Sequence, residues 1–152
     1  MSSGVKWEAG MEKTLMAAYE TFEHESDIGI RGFGGSIEEA FENAAVALYY
    51  VMVNTGKIAT KETRVVTVSA PDRELLLVEW LNALLSLSDI ERMVFSKFEV
   101  KIKDMLLTGT VWGEPLDRAR HEAHVEVKGA TYHLLSVKEQ DGRYTAQCVV
   151  DV

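Results

Sequence analysis

The sequence predicts an α+β fold, in which two main helices pack with largely antiparallel sheet layers. Two segments carry apolar residues at helical spacing, and short segments with a period of two flank them. From Val94 onward the period of two persists, with turn residues rather than helices between the strands. The order strand, strand, helix, strand, helix and then several strands is typical of α+β folds and not of βαβ repeats.

The first helix is predicted to begin after Ser36 and to end between residues 52 and 56. Ser36 and Glu39 form a predicted capping box. The Ser36 hydroxyl would accept from an unpaired backbone amide of the first turn, and the Glu39 carboxylate would accept from a backbone amide at the start of the helix. The apolar positions behind it include small residues, Ala40 and Ala44 among them. Side chains this small indicate close packing of the helix against a sheet.

The second helix is predicted to follow Pro71, with Asp72 as its N-cap. Apolar residues nearly encircle the stretch from Leu75 to Leu87. A helix of this kind is buried on more than one side and fits between two layers. Trp80 is therefore interpreted as a core residue.

The strands are predicted from alternating or β-branched segments. Asp141-Gly142 predicts a tight hairpin turn before the last strand, and residues 117–124 are interpreted as a polar, solvated loop. The predicted strands cover residues 19–24, 28–33, 64–70, 95–102, 106–112, 125–128, 131–139 and 144–150.

Length and composition predict one globular domain over residues 19–152, preceded by a loose N-terminal extension over residues 1–18. The chain has 152 residues and a formal net charge of −8. No basic stripe that could neutralise phosphates is visible, so we expect no direct nucleic-acid binding. No apolar run is long enough to span a membrane, and no signal peptide is visible. The single cysteine, Cys148, is interpreted as a buried residue in a reducing cytoplasm.

The sequence carries few patterns for enzyme chemistry. It has no phosphate-binding Gly-rich loop with Lys-Ser/Thr and no Gly-x-Ser-x-Gly nucleophile motif. His121 and His124 are three residues apart and could ligate a metal, but a zinc-protease helix requires a spacing of four. We interpret them as part of the solvated loop.

The remaining candidates are two aspartates at opposite ends of the chain. Asp27 directly precedes the short apolar run of the second predicted strand, and Asp151 follows the apolar end of the last one. Val152 comes next and ends the chain with a carboxylate. If the fold brings these groups together, they form an all-oxygen site that suits a divalent cation. Spacing alone favours a simple cap or turn role for each aspartate.

At these residues the sequence closely resembles the archease family. Six pieces match in family order and together cover about residues 19–152. The family usually has Thr-Ala where this chain has Glu25-Ser26, and it often ends in Asp-Ile. The matching pieces are residues 24–30, 34–45, 79–85, 94–98, 127–133 and 150–152.

The resemblance implies a protein cofactor of the RtcB-type RNA-splicing ligase, not an enzyme in its own right. Such a cofactor promotes guanylylation of the ligase and its multiple turnover. By position, Asp27, Asp151 and the Val152 carboxylate would bind the metal, with calcium preferred and magnesium or manganese as alternatives. Residues that would face the ligase are His24, Lys128, Tyr132 and His133.

Two other functions remain open on the sequence. One is a small metal-dependent hydrolase with His24 or His133 as a base beside Asp27. The other is a chaperone-like protein-binding module whose acidic residues are merely solvated. If residues 131–139 form a strand, Tyr132 and His133 point to opposite faces and only pack within it.

Overall fold

The computed structural model describes residues 17–152, which form two helices and eight strands. The helices are α1 (Ile37–Met52) and α2 (Arg73–Glu91). The strands are β1 (Tyr19–His24), β2 (Asp27–Gly34), β3 (Glu62–Ser69), β4 (Met93–Lys103), β5 (Leu106–Pro115), β6 (Gly129–Ala130), β7 (Ser136–Gln140) and β8 (Arg143–Asp151).

The strands form two sheets in which every pair is antiparallel. The larger sheet has the order β1-β2-β8-β6, with β7 also paired to β8. The smaller sheet has the order β3-β5-β4. The first two strands and the last one are therefore neighbours, which brings the two ends of the domain together.

Both helices lie between the sheets. Helix α1 contacts β2 and β8 of the larger sheet and β4 of the smaller one. Helix α2 contacts β3 on one side and β6 on the other. Trp80 is fully buried, and its indole N–H donates to the Phe41 carbonyl at 3.0 Å. The predicted α+β class, the buried second helix and the core role of Trp80 are confirmed.

Both predicted helix N-termini are confirmed as well. The Ser36 hydroxyl accepts from the Glu39 amide at 3.1 Å, and the Glu39 carboxylate accepts from the Gly35 amide at 2.6 Å. The second bond reaches the residue before the cap rather than the cap itself. Asp72 accepts from the Leu75 amide at 2.8 Å. These bonds satisfy amides that the first turn of a helix leaves open.

Helix α1 lies so close to β2 that Gly32 has no room for a side chain. A Cβ at this position would lie 2.2 Å from the Ala44 amide nitrogen and 2.3 Å from the Ala40 carbonyl oxygen. Because both are backbone atoms, the helix as a whole would have to move. The small side chains of α1 therefore allow this close contact with β2.

Gly32→Ala is accordingly expected to lower the free energy of unfolding by about 2 kcal/mol, the usual cost of overpacking a core. Gly35→Ala is the matched control, because its Cβ would lie 3.7 Å from the nearest atom, the Glu39 Oε1. Urea unfolding midpoints of the two variants measure the difference. Equal midpoints would contradict the close approach of α1 and β2.

Two strand predictions are wrong. Residues 125–128 form no strand. The segment is irregular, although Val127 is buried toward the core. The strand predicted over residues 131–139 is shortened to β7, since Leu134 adopts a φ of 52° and turns the chain. A left-handed residue ends a strand, and alternation of side chains does not reveal it.

The predicted N-terminal extension, residues 1–18, lies outside the described residues except for Ala17 and Ala18. The Ala18 carbonyl accepts from the Phe33 amide at 2.9 Å.

Cys148 is buried as predicted, and burial raises the pKa of its thiol to about 12. Within the described residues, neither helix has the length and apolar character needed to cross a membrane.

Candidate functional site

The start of β2 and the end of β8 lie side by side at one corner of the larger sheet. The last pair in their register is Ile28 with Val150, so Asp27 and Asp151 are the next residues outward on the two strands. The Asp27 Oδ1 accepts from the Val152 amide at 3.3 Å. The structure therefore brings together the three residues that the sequence proposed from opposite ends of the chain.

The strand alternation directs both aspartates away from the helices. Ile30 and Cys148 form a pair with fully buried side chains, so residues of the same parity face the core. Asp27 and Asp151 have the opposite parity and share the outer face of the sheet. Side chains opposite one another on adjacent strands have Cβ atoms about 5 Å apart. Carboxylates at that separation can share one cation.

The turn between β1 and β2 places His24 beside this pair. Glu25 and Ser26 form the turn, and Glu25 has a φ of 58°. His24 is paired in register with Asp27 and lies on the same outer face. The Glu25 side chain is largely exposed, and its carboxylate lies 3.9 Å from the His24 Nε2.

Residues 131–133 are held over the site by bonds to Val149 of β8. The Thr131 amide and hydroxyl both donate to the Val149 carbonyl, at 3.0 and 2.8 Å, and the Val149 amide donates to the His133 carbonyl at 3.1 Å. This places the His133 ring 4.8 Å from the His24 ring, centroid to centroid. Tyr132 and His133 both line the resulting cavity of about 390 Å³. Residues 131–133 lie outside any strand, so the strand alternation expected for Tyr132 and His133 does not apply.

Lys128 lies near the pair through its backbone but belongs to another depression. Its amide donates to the Asp151 carbonyl at 2.7 Å. It lines a larger cavity of about 670 Å³, together with residues of α2 such as Asn82 and Asp89. The structure thus groups His24, Tyr132 and His133 in one cavity and places Lys128 in another.

The residues at the corner fit a cation with oxygen ligands. Within residues 17–152, no group of three or more His, Cys, Asp or Glu side chains is arranged to hold a metal. The proposed set differs from such a group, since it has two aspartate side chains and a main-chain carboxylate. Hard oxygen donors of this type match Ca²⁺, Mg²⁺ or Mn²⁺ better than zinc.

The interpretation of His121 as a solvated loop residue is wrong. His121 is fully buried, and its Nε2 lies 2.9 Å from the Glu114 Oε2. Its Nδ1 accepts from the Asp117 amide at 3.0 Å, which leaves the proton on Nε2 to donate to Glu114. His124 is exposed and makes its ring contact with a carbonyl, that of Glu122. The two histidines are therefore not a ligand pair.

Glu114 is the centre of a buried polar cluster that sequence reasoning missed. Its carboxylate accepts from the Ala59 amide at 2.8 Å, from His121, and from the Arg120 guanidinium at 2.6 Å. In that order of importance, these bonds lower the pKa of Glu114 to about 2. The only signal in the sequence was a glutamate in an apolar strand followed by proline, and it did not identify the partners. The cluster ties the loop after residue 116 to the smaller sheet.

Comparisons with known proteins agree with this architecture. The model of the Archease protein family (MTH1598/TM1083) matches residues 19–152. The protein archease of Pyrococcus abyssi is 47% identical over 142 residues, and that of Sulfurisphaera tokodaii is 45% identical over 139 residues. Each alignment covers 90% of this chain and 100% of the relative.

Solved structures give the same result for the fold. Protein 1598 of Methanobacterium thermoautotrophicum superposes with a TM-score of 0.80 at 40% identity, covering 90% of this chain and 100% of that one. An archease and possible chaperone of Thermotoga maritima has a TM-score of 0.61 at 19% identity, with coverages of 88% and 96%. The second likeness concerns the fold alone. On the family match and the identity to its relatives, the chain belongs to the archease family.

Proposed function

We propose that this chain is a metal-binding accessory protein that activates an RtcB-type RNA ligase by promoting its guanylylation and multiple turnover. Family membership supports the class of function. The main observation in support of the proposed site is the hydrogen bond from the Val152 amide to the Asp27 Oδ1 at 3.3 Å, which joins the ends of β2 and β8.

In this proposal Asp27, Asp151 and the Val152 carboxylate hold the cation. The bound cation supplies positive charge that can stabilise phosphate oxygens during nucleotide transfer. The chain's own contribution is to fix the ligands on two paired strands, so that little ordering is needed when the cation binds. Asp151 is exposed and Asp27 is half-buried, which leaves the site open to a docked partner.

The charge of the chain supports a basic partner. Its formal net charge is −8, and the corner also carries Glu25 next to the two aspartates. An enzyme that grips RNA needs a basic surface. An acidic accessory protein can dock near that surface through complementary charge, which speeds encounter and fixes orientation.

Two measurements test the proposal. Single-turnover guanylylation of an RtcB-type ligase is expected to be faster with this protein than without it. Calcium is expected to raise the Tm of the protein alone, because a ligand that binds only the native state stabilises it by mass action. An unchanged guanylylation rate would contradict activation, and a Tm unchanged by Ca²⁺, Mg²⁺ and Mn²⁺ would contradict the metal site.

The two other functions give different results in the same assays. A metal-dependent hydrolase would turn over a nucleotide or phosphoester without any ligase. A chaperone-like module would show no change of Tm with divalent cations.

A further inference from the structure

The cavity beside the aspartates has walls formed largely by rings. The His24 and His133 rings are 4.8 Å apart and tilted by 47°. Tyr132 is 69% exposed at the rim, so its ring is available to a ligand. The cavity of about 390 Å³ is lined by His24, Glu25, Asp27, Thr131, Tyr132, His133 and Val149.

The charged and unpartnered groups of this cavity are hydrogen-bond acceptors. The His24 Nε2 is buried and has no hydrogen-bond partner among the described residues, and the Glu25 carboxylate is too distant at 3.9 Å. A neutral imidazole that carries its proton on Nδ1 presents Nε2 as an acceptor, and the arrangement proposed for this cavity uses that tautomer. The ionised side chains of Glu25 and Asp27 only accept. Because a buried polar atom without a partner is costly, the cavity is suited to a ligand that donates.

The charges exclude some ligands and favour others. An anion would be repelled by Glu25, Asp27 and the neighbouring Asp151. A metal bound by the imidazoles would need a third ligand, and no such group of three converges within the part of the chain that the structure describes. An arginine side chain fits better, because its guanidinium is a planar cation that has five donors and no acceptor. It also stacks on aromatic rings, which a lysine ammonium does less well.

We propose that this cavity receives an arginine side chain of the partner protein. The guanidinium would stack against Tyr132 and His133, donate to the His24 Nε2 and pair with Glu25. The identity of the partner rests on the proposed function, whereas the chemistry of the cavity does not. A divalent cation at the corner leaves net negative charge there, since Asp27, Asp151, Glu25 and the Val152 carboxylate carry four charges.

The test titrates the isolated protein with N-acetyl-arginine amide and follows its imidazole and tyrosine resonances by NMR. We expect saturable shifts of the His24, Tyr132 and His133 signals at millimolar concentrations. The citrulline analogue has nearly the same shape without the charge and is expected to cause no saturable shift. Equal binding of the citrulline analogue, tighter binding of the lysine analogue, or shifts confined to other residues would overturn the assignment.

Matched variants show which charge is involved. Glu25→Gln is expected to weaken binding of the arginine amide about threefold, the usual effect of one exposed ion pair. Glu23→Gln removes the same charge two residues away, at a position of β1 that faces the opposite side of the sheet from His24, and is expected to leave the affinity unchanged. Equal affinities of the two variants would overturn the role of Glu25.

A ligase experiment separates this proposal from the proposed function. Glu25→Lys is expected to raise the protein concentration for half-maximal ligase stimulation by more than tenfold, and Tyr132→Ala to raise it less. If the isolated protein binds the arginine amide but does not stimulate the ligase, the cavity assignment stands and the proposed function fails. If the protein stimulates the ligase but does not bind the arginine amide, the cavity assignment fails alone.

Discussion

Asp151→Asn is expected to reduce stimulation of ligase guanylylation by at least about tenfold, because ligand charge strongly affects the affinity of an oxygen site for calcium. The substitution keeps the size of the side chain and removes one negative charge. The backbone bond from Lys128 to the Asp151 carbonyl is unaffected, so the fold should remain intact. The measurement is the single-turnover guanylylation rate of the ligase at fixed calcium concentration.

A matched control and a rescue experiment exclude a structural explanation. Asp141→Asn removes the same charge at the hairpin turn, where a φ of 54° suits asparagine, and is expected to stimulate normally. Raising the calcium concentration should partly restore stimulation by Asp151→Asn, because the lost affinity is offset by mass action. Full stimulation by Asp151→Asn without added calcium would contradict the role of this carboxylate in metal binding.

Glu114→Gln is expected to cost about 3 kcal/mol of unfolding free energy, because it leaves the partners of a buried charge unmatched. The Ala59 amide, His121 and Arg120 all contact the same oxygen, Oε2, and a glutamine can keep an acceptor there. It removes the negative charge that pairs with Arg120, and its NH₂ group takes the position of Oε1, which lies 4.0 Å from the Lys61 Nζ. For a chain of this size the expected loss of Tm is about 10 °C. Thermal unfolding followed by circular dichroism measures it.

Glu91→Gln provides the comparison for an exposed pair. Glu91 pairs with Arg64 at 2.7 Å on the surface, and its removal is expected to cost less than about 1 kcal/mol. A loss of stability as small for Glu114→Gln as for Glu91→Gln would contradict the stabilising role of the buried cluster.

The stability contributed by Glu114 is also expected to depend on pH. Its pKa is lowered to about 2 in the folded protein, from an ordinary value near 4.5. The folded state therefore binds its proton less readily than the unfolded state, and the contribution is complete above about pH 4.5 and is lost as the pH falls toward 2. The charged groups that face it are Arg120 and, at 4.0 Å, Lys61. The difference in stability from Glu114→Gln should thus shrink between these pH values.

Local sequence patterns predicted the main elements because each pattern reflects contacts within a few residues. The capping residues Ser36 and Asp72 begin the helices as expected, and the ring of apolar residues in α2 correctly indicated burial between layers. The prediction failed where a distant contact or a single backbone angle determines the local structure. Leu134 turns the chain through a positive φ, and His121 is buried because Glu114 lies beside it in space.

The sequence by itself determined the fold class, the two helices and the acidic charge, all of which follow from composition and short-range pattern. The candidate ligands Asp27, Asp151 and Val152 came from the resemblance to the archease family, because spacing alone favours a cap or turn role for the aspartates. Only the tertiary structure decided that Asp27 and Val152 are neighbours, because strand pairing between residues more than a hundred positions apart leaves no local signature. Hydrogen bonds between the segment 131–133 and Val149 likewise bring His133 to His24. The cavity beside Asp27 exists because a turn from one part of the chain is held against a strand from another.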